Sequence, residues 1–184
     1  MEKNMFKVPD KEKVTWFSMW FLGSVASFGA AFFPMFYRLI DSRNRHFKRE
    51  AQLEKQIADF LRKQGKQPPQ TAQAPRDMNV KTWTASIILI VPVFFILYLL
   101  SKDLFIHEKH EDEFLAAAFP TRMFMPQTVP IKKYALITIV TLGVGEVYWL
   151  YKIINNYNAH FKAQWRIEKE IARLMEENSI DKSM

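Results

Sequence analysis

Long uncharged runs alternate along the chain with densely charged ones. Between Lys13 and Arg38 lie 24 residues, VTWFSMWFLGSVASFGAAFFPMFY, and between Lys81 and Lys102 lie 20, TWTASIILIVPVFFILYLLS, without one charge. About 20 apolar residues at about 1.5 Å each cross a bilayer, so each run predicts a transmembrane helix. Trp83 and Tyr98 sit near the ends of the second, where amphipathic rings favour the interface, and Pro92 at its middle predicts a kink. A third run, Tyr134 to Tyr151, holds 18 residues including Glu146. It predicts a third span of about 27 Å.

The charged segments that follow the first and third runs predict helical arms, since neither Gly nor Pro occurs from Met35 to Gln64 or from Glu146 to the end. Leu53, Ile57 and Phe60 in one arm, and Ile167, Ile171 and Leu174 in the other, recur in steps of four and three. That is the a/d spacing of a heptad, so each arm carries an apolar stripe for packing. Flanking residues Phe47, Ala58 and Leu61 correspond to Phe161, Ala172 and Met175, so the two stripes have similar shapes and can pack on one another.

These correspondences belong to an internal duplication at an offset of 114. Over the 22 positions from Tyr37 to Ala58, ten residues are identical to their counterparts, among them Asn44/Asn158, His46/His160 and Phe47/Phe161. Upstream, Gly29 falls on Gly143, Ser27 on Thr141 and Phe36 on Leu150. Such self-similarity marks a structural unit stated twice, here a span followed by an arm. Gly29 and Gly143 then permit close helix approach within the bilayer. The quartets Asp41 to Asn44 and Asn155 to Asn158 suit caps and turns, so both a bend along the bilayer surface and a straight continuation fit.

At TLGVGEVYWLYKIINNYN the chain resembles a family of small bacterial and archaeal integral membrane proteins of unknown function, whose hallmark is a TLGxxxxYWLYK-like span ending. The resemblance covers Ile131 to Asn158 and, more faintly, the first unit, where Pro34 and Met35 replace the Tyr-Trp pair. It implies an integral membrane fold and nothing about chemistry.

Composition and charge extend this picture. The formal charge is +7, with 27 aromatics collected mainly in the apolar runs and no cysteine, which excludes disulfides, thiolate metal sites and Cys nucleophiles. Lys and Arg number 4 before the first run, 11 from Arg38 to Lys81, 5 from Lys102 to Lys133 and 6 from Lys152 onward. The positive-inside tendency then places the N-terminus outside, both arms in the cytoplasm and the 102–130 segment outside. Arg38 to Lys66 carries a net +5, a basic patch suited to anionic lipids, and no pattern for nucleic-acid reading accompanies it. The Pro/Gln-rich segment 65–81 is a tether, and Phe105, Ile106, Phe114, Leu115, Phe119, Met123, Phe124 and Met125 make the 102–130 loop a contact surface.

Candidate chemistry is sparse. In HEKHEDE, His107 and His110 lie one helical turn apart beside Glu111, a weak metal-like cluster whose commoner reading is a solvated charged face. His46 and His160 occupy heptad-compatible positions and read as packing or headgroup contacts. Glu146, about 7.5 Å inside the third span's inner edge, reads as a partly hydrated carboxylate between spans, with Arg38 as a candidate partner. No nucleophilic triad, Walker loop or dinucleotide fingerprint can be assembled.

The expectation is therefore an all-α, cell-membrane, multi-pass protein of three transmembrane helices and two amphipathic cytoplasmic arms. Its segments are 1–14, a polar start; 15–64, the first unit; 65–81, the linker; 82–101, the central span; 102–130, the outer loop; 131–178, the second unit; and 179–184, the tail. The expected function is a non-enzymatic scaffold or accessory subunit without cofactor or catalytic residues. Its expected partners are the lipid bilayer, anionic lipids, other membrane proteins or further copies of itself, with no nucleic acid. Its interaction residues are the two stripes, Gly29, Gly143 and Glu146. Two alternatives accompany it, an accessory subunit of a metal-dependent enzyme using His107, His110 and Glu111, and an oligomeric transporter or channel component.

Overall fold

The computed structural model describes Glu12 and residues 14–71, 75–89, 91–118 and 129–180. Within them the chain forms α1 (Phe17–Ala26), α2 (Phe32–Lys63), α3 (Val80–Ser86), a 3₁₀ turn (Ile87–Leu89), α4 (Val91–Ala118), α5 (Ile131–Val140) and α6 (Gly145–Ile180). Phe119, Met123, Phe124 and Met125 of the expected outer loop, with segments 1–11 and 181–184, lie outside the described residues.

Two of the three apolar runs fold back at their midpoints. α1 ends because Phe28 adopts φ 51° and Gly29 φ 92°, and the turn is closed by Gly29 N–H to Ser24 O (2.7 Å) and Phe28 N–H to Val25 O (3.3 Å). These are the two reversed bonds of a Schellman cap. The duplicated turn repeats it: Leu142 has φ 51°, Gly143 φ 96°, and Gly143 N–H donates to Thr138 O at 2.8 Å. Ser27 Oγ and Thr141 Oγ1 then accept from the backbone N–H of Ala31 (2.9 Å) and Gly145 (2.7 Å), starting the next helix. Nothing lies within 4 Å of a Cβ placed on Gly29 or Gly143, so these glycines serve the turn and not close helix packing. Close approach occurs instead at Gly145, whose added Cβ would lie 2.8 Å from the Thr138 backbone.

This folding overturns the three-span architecture. α1 and α5 hold 10 residues each, about 15 Å of helix against the roughly 30 Å of a hydrocarbon core. α2 and α6 are longer but become charged within two turns of their starts, and α4 turns charged after Ser101. Among the described residues no helix is long and apolar enough to cross a membrane. The expected cell-membrane, multi-pass placement, with its outside N-terminus and cytoplasmic C-terminus, falls with it. The outer loop is no separate compartment either, because most of it is the continuation of α4, packed beside both arms. Pro92 lies in the first turn of α4, where a missing N–H is tolerated, and not at the centre of a kinked span.

What the chain builds is a ring of three helical hairpins, α1/α2, α3/α4 and α5/α6, each a short helix followed by a long one. The long helices run parallel and present buried residues at matched positions: Met35, Ile96 and Trp149; then Leu39, Leu100 and Ile153; then Arg43, Leu104 and Tyr157. Farther along, Leu53 and Ile57 meet Phe114, Leu115 and Ile171, with Phe60, Ile167 and Ala118 packed around them. The arm stripes thus share one apolar cluster with the end of α4, and Leu174 lies half-buried beyond it.

Each short helix also docks on the long helix of the preceding hairpin. Asn44 of α2 bridges Met78, just before α3, donating to its carbonyl (2.7 Å) and accepting from its N–H (3.1 Å). Asn158 of α6 does the same to Thr15, just before α1 (2.7 and 3.0 Å). The asparagines that predicted caps or bends therefore sit inside continuous helices and satisfy backbone groups of a neighbouring segment. Inside the ring, Trp149 donates to Ser101 Oγ (2.9 Å) and Tyr157 to Leu100 O (3.1 Å), so each buried ring has a partner for its polar edge.

Candidate metal centre

One turn beyond Arg43, Leu104 and Tyr157, the long helices bring three histidines together. His46 of α2, His107 of α4 and His160 of α6 are all buried, and their ligand nitrogens lie within 4.8 Å of one another. His46 Nε2 is 3.0 Å from His160 Nε2 and 3.3 Å from His107 Nε2. The rings meet nearly edge to face, at interplanar angles of 81° to 88°. Each side chain stands at the same heptad position of its hairpin, which is why residues so distant in sequence converge.

Carboxylates orient the rings from outside. His46 Nδ1 lies 3.0 Å from Glu12 Oε1, and His160 Nδ1 lies 3.1 Å from Glu108 Oε1, an ion-pair distance off the ideal hydrogen-bond line. Glu12 is itself fixed by Arg49 Nη1 (2.5 Å) and by the indole N–H of Trp165 (3.0 Å), while Arg49 Nη2 reaches Glu168 (2.8 Å). Burial alone would raise the Glu12 carboxyl, but the hydrogen bonds of His46 and Trp165 and the charges of His46 and Arg49 hold it at about 2. Burial, with the charges of His160 and Arg49 and against the pull of Glu12, brings His46 down to about 4. Burial and the neighbouring histidines push His107 well below the usual imidazole range.

These protonation states have a consequence for the Nε2 atoms. An ionised Glu12 requires the His46 proton on Nδ1, so the His46 Nε2 lone pair faces the centre. At 3.0 Å this lone pair meets His160 Nε2, where it accepts that atom's proton or, once the proton is displaced, shares a cation with it. A carboxylate–histidine pair such as Glu12–His46 is the usual outer support of a metal-bound imidazole. The spacing also fits, because a tetrahedral ion with N bonds of about 2.0–2.1 Å sets its nitrogens about 3.3 Å apart.

A second polar level follows one turn on, where Glu50, Glu111 and Gln164 occupy matched positions and are all buried. Glu111 Oε2 is 3.8 Å from His107 Nε2. Burial first, then the charges of Glu111, Glu54 and Glu168, push the Glu50 carboxyl well above the usual range, opposed by Arg49.

The sequence placed part of this centre wrongly. His107 and His110 do not act together: His110 pairs with Glu54 at 3.2 Å, and His107 joins His46 and His160, which read as packing residues. Glu111 does stand beside His107. Glu146 lies in the first turn of α6, its carboxyl raised by burial, while Arg38 donates to Val14 O (3.2 Å). The basic patch loses two charges to the interior, Arg43 to Asp103 (2.5 Å) and Arg49 to Glu12 and Glu168. Glu12 carried no signal. The α3/α4 hairpin carried a faint one, since at an offset of 61 Tyr98, Leu100, His107, Lys109 and Glu111 fall on Tyr37, Leu39, His46, Lys48 and Glu50.

Comparison of the chain with protein-family models, curated proteins and solved structures returned no match. The membrane-family resemblance of the third apolar run has no counterpart there, and a functional reading rests on the geometry of the centre.

Proposed function

We propose that the protein binds a divalent transition-metal ion through His46, His107 and His160, clamping the three hairpins together. The observation that carries this reading is the convergence of three buried imidazole nitrogens, one of them aimed inward by a carboxylate. Three neutral imidazoles suit Zn2+, Fe2+, Cu2+ or Ni2+, and Zn2+ is the reference ion for a tetrahedral set. Glu111 is within a side-chain rotation of supplying the fourth ligand. Four protein ligands in a buried centre make a structural ion, which favours a stabilised docking unit over a catalyst and agrees with the scaffold or accessory role expected from the chain. Dialysis against chelator followed by Zn2+ titration tests it. Stoichiometric uptake that raises the unfolding temperature, abolished in His46→Ala/His160→Ala, is expected, and a wild-type chain that takes up no ion rejects the reading.

A second reading concerns the end of the ring formed by the three hairpin turns. Phe28 and Leu142 are 100 % and 95 % exposed at the tips, Ile88 is 73 % exposed, and Trp16, Tyr37, Tyr98, Tyr148 and Tyr151 are exposed around them. Hairpins about 15 Å tall match the depth of one leaflet, and an aromatic belt above an apolar tip suits the headgroup boundary. This supports shallow docking on a lipid surface, with no crossing. Flotation with neutral and anionic vesicles tests it, Phe28→Asp/Leu142→Asp being expected to release the protein. Wild-type protein that stays at the bottom of the gradient rejects it.

A further inference from the structure

The level formed by Glu50, Glu111 and Gln164 is unusual for the middle of a helical bundle. All three side chains are at most 4 % exposed, and apolar levels follow at Leu53 with Phe114 and at Ile57 with Ile171. Neither amide atom of Gln164 has a hydrogen-bond partner, and Glu50 Oε2 has none. A buried amide without partners costs roughly 1–3 kcal/mol, and a buried carboxylate more, so an apolar trio would be the more stable choice unless a ligand meets these groups. Arg49 pairs with Glu12 and Glu168 while its charge also acts on Glu50, and His110 pairs with Glu54. The carboxylates of Glu111, Glu54 and Glu168 crowd Glu50 with like charge.

We infer that Glu50, Glu111 and the amide oxygen of Gln164 hold a second divalent cation, one helical turn from the tris-histidine ion. This rests on the reading of the histidine centre, since it makes the core binuclear. Two carboxylates and an amide oxygen form an all-oxygen donor set, which selects a hard ion such as Mn2+ or Mg2+ where the histidines select Zn2+. Matched positions four residues apart separate the two levels by about 6 Å along the helices. Glu111, with Oε2 3.8 Å from His107 Nε2, lies between them and is the shared ligand. The site lies on three rigid helices, one from each hairpin, so its geometry is set by the same packing that sets the histidines.

The test loads the full-length, chelator-stripped chain with one equivalent of Zn2+ and titrates it with Mn2+. Free Mn2+ is followed by electron paramagnetic resonance, and both metals are counted by elemental analysis. One Zn2+ and one Mn2+ per chain are expected. Glu50→Gln is expected to retain Zn2+ and bind Mn2+ at least tenfold more weakly, and Gln164→Met, which leaves both carboxylates in place, to weaken Mn2+ alone. Wild-type protein holding Zn2+ but no stoichiometric Mn2+ overturns the inference and leaves the histidine reading standing. Failure to bind Zn2+ overturns the histidine reading instead. Mn2+ affinity unchanged in Gln164→Met and in a folded Glu50→Gln overturns the second site, as does joint loss of both metals in Glu50→Gln. If Glu50→Gln loses its helical circular dichroism, Gln164→Met alone decides.

Discussion

Acidifying the metal-free protein from pH 6.5 to 4.5 tests the electrostatics of the histidine centre without any assumption about which ion binds. In the fold His46 is buried and stays neutral down to about pH 4, whereas in the unfolded chain it takes up a proton below about 6.5. The unfolded state binds the extra proton across that window, so stability falls as pH falls. At 1.36 kcal/mol per unit, a shift from 6.5 to about 4 amounts to about 3 kcal/mol for His46 alone, of which about 2 kcal/mol is lost between pH 6.5 and 4.5. His107, pushed down in the same direction, adds to it. Against the 5–15 kcal/mol that holds a typical domain together, this is a large share. Glu50 and Glu146, raised by burial, take up protons in the fold on acidification and oppose this slope, so it is measured in Glu50→Gln/Glu146→Gln; Glu12 does not confuse the reading. Its folded carboxyl is held at about 2, so its own contribution is fully present above about 4.5 and lost only below. Urea unfolding of EDTA-treated protein at half-unit pH steps measures the slope. An unfolding free energy that stays flat from pH 6.5 to 4.5 would refute the buried, neutral imidazoles on which the centre depends.

Three further outcomes follow from the geometry. Glu108→Gln keeps the shape beside His160 but removes the charge that orients its ring, and should weaken Zn2+ binding about 10- to 100-fold by competition titration while leaving helix content unchanged. Gly29→Ala and Gly143→Ala each force a side chain into φ above +90°, and each should cost about 1–2 kcal/mol in urea unfolding, adding in the double variant because the turns belong to different hairpins. Gly145→Ala should cost about 1–3 kcal/mol, because its Cβ meets the Thr138 backbone at 2.8 Å, whereas Gly23→Ala, 3.6 Å from Ala31, should be tolerated in the same thermal melt.

Much of the helical framework was legible in the sequence. The absence of Gly and Pro after Met35 and Glu146 marked the long helices, and the 114-residue offset marked two copies whose turns, at Phe28–Gly29 and Leu142–Gly143, have matching backbone angles. The way the apolar runs close was not. A run of 24 uncharged residues looks the same whether it is one straight span or two short helices back to back, and only the left-handed residues at 28 and 142 separate the cases. Neither Phe nor Leu announces that conformation. The centre was hidden for another reason: His107 belongs to a hairpin whose first helix is short and diverged, so its kinship to His46 and His160 survives in a few heptad positions and not in a continuous match. Adjacent residues, His110 above all, offered a more obvious partner in one dimension than the correct ones did in three.

A three-fold cluster of histidines on parallel helices is what a homotrimer would build from identical subunits, and here a single polypeptide supplies all three. Association therefore has no concentration term. Dilution that would dissolve a trimer leaves this centre intact, and because the copies are covalently joined they are free to diverge. One helix can offer an amide where the other two offer acids, an asymmetry that no assembly of identical chains can encode.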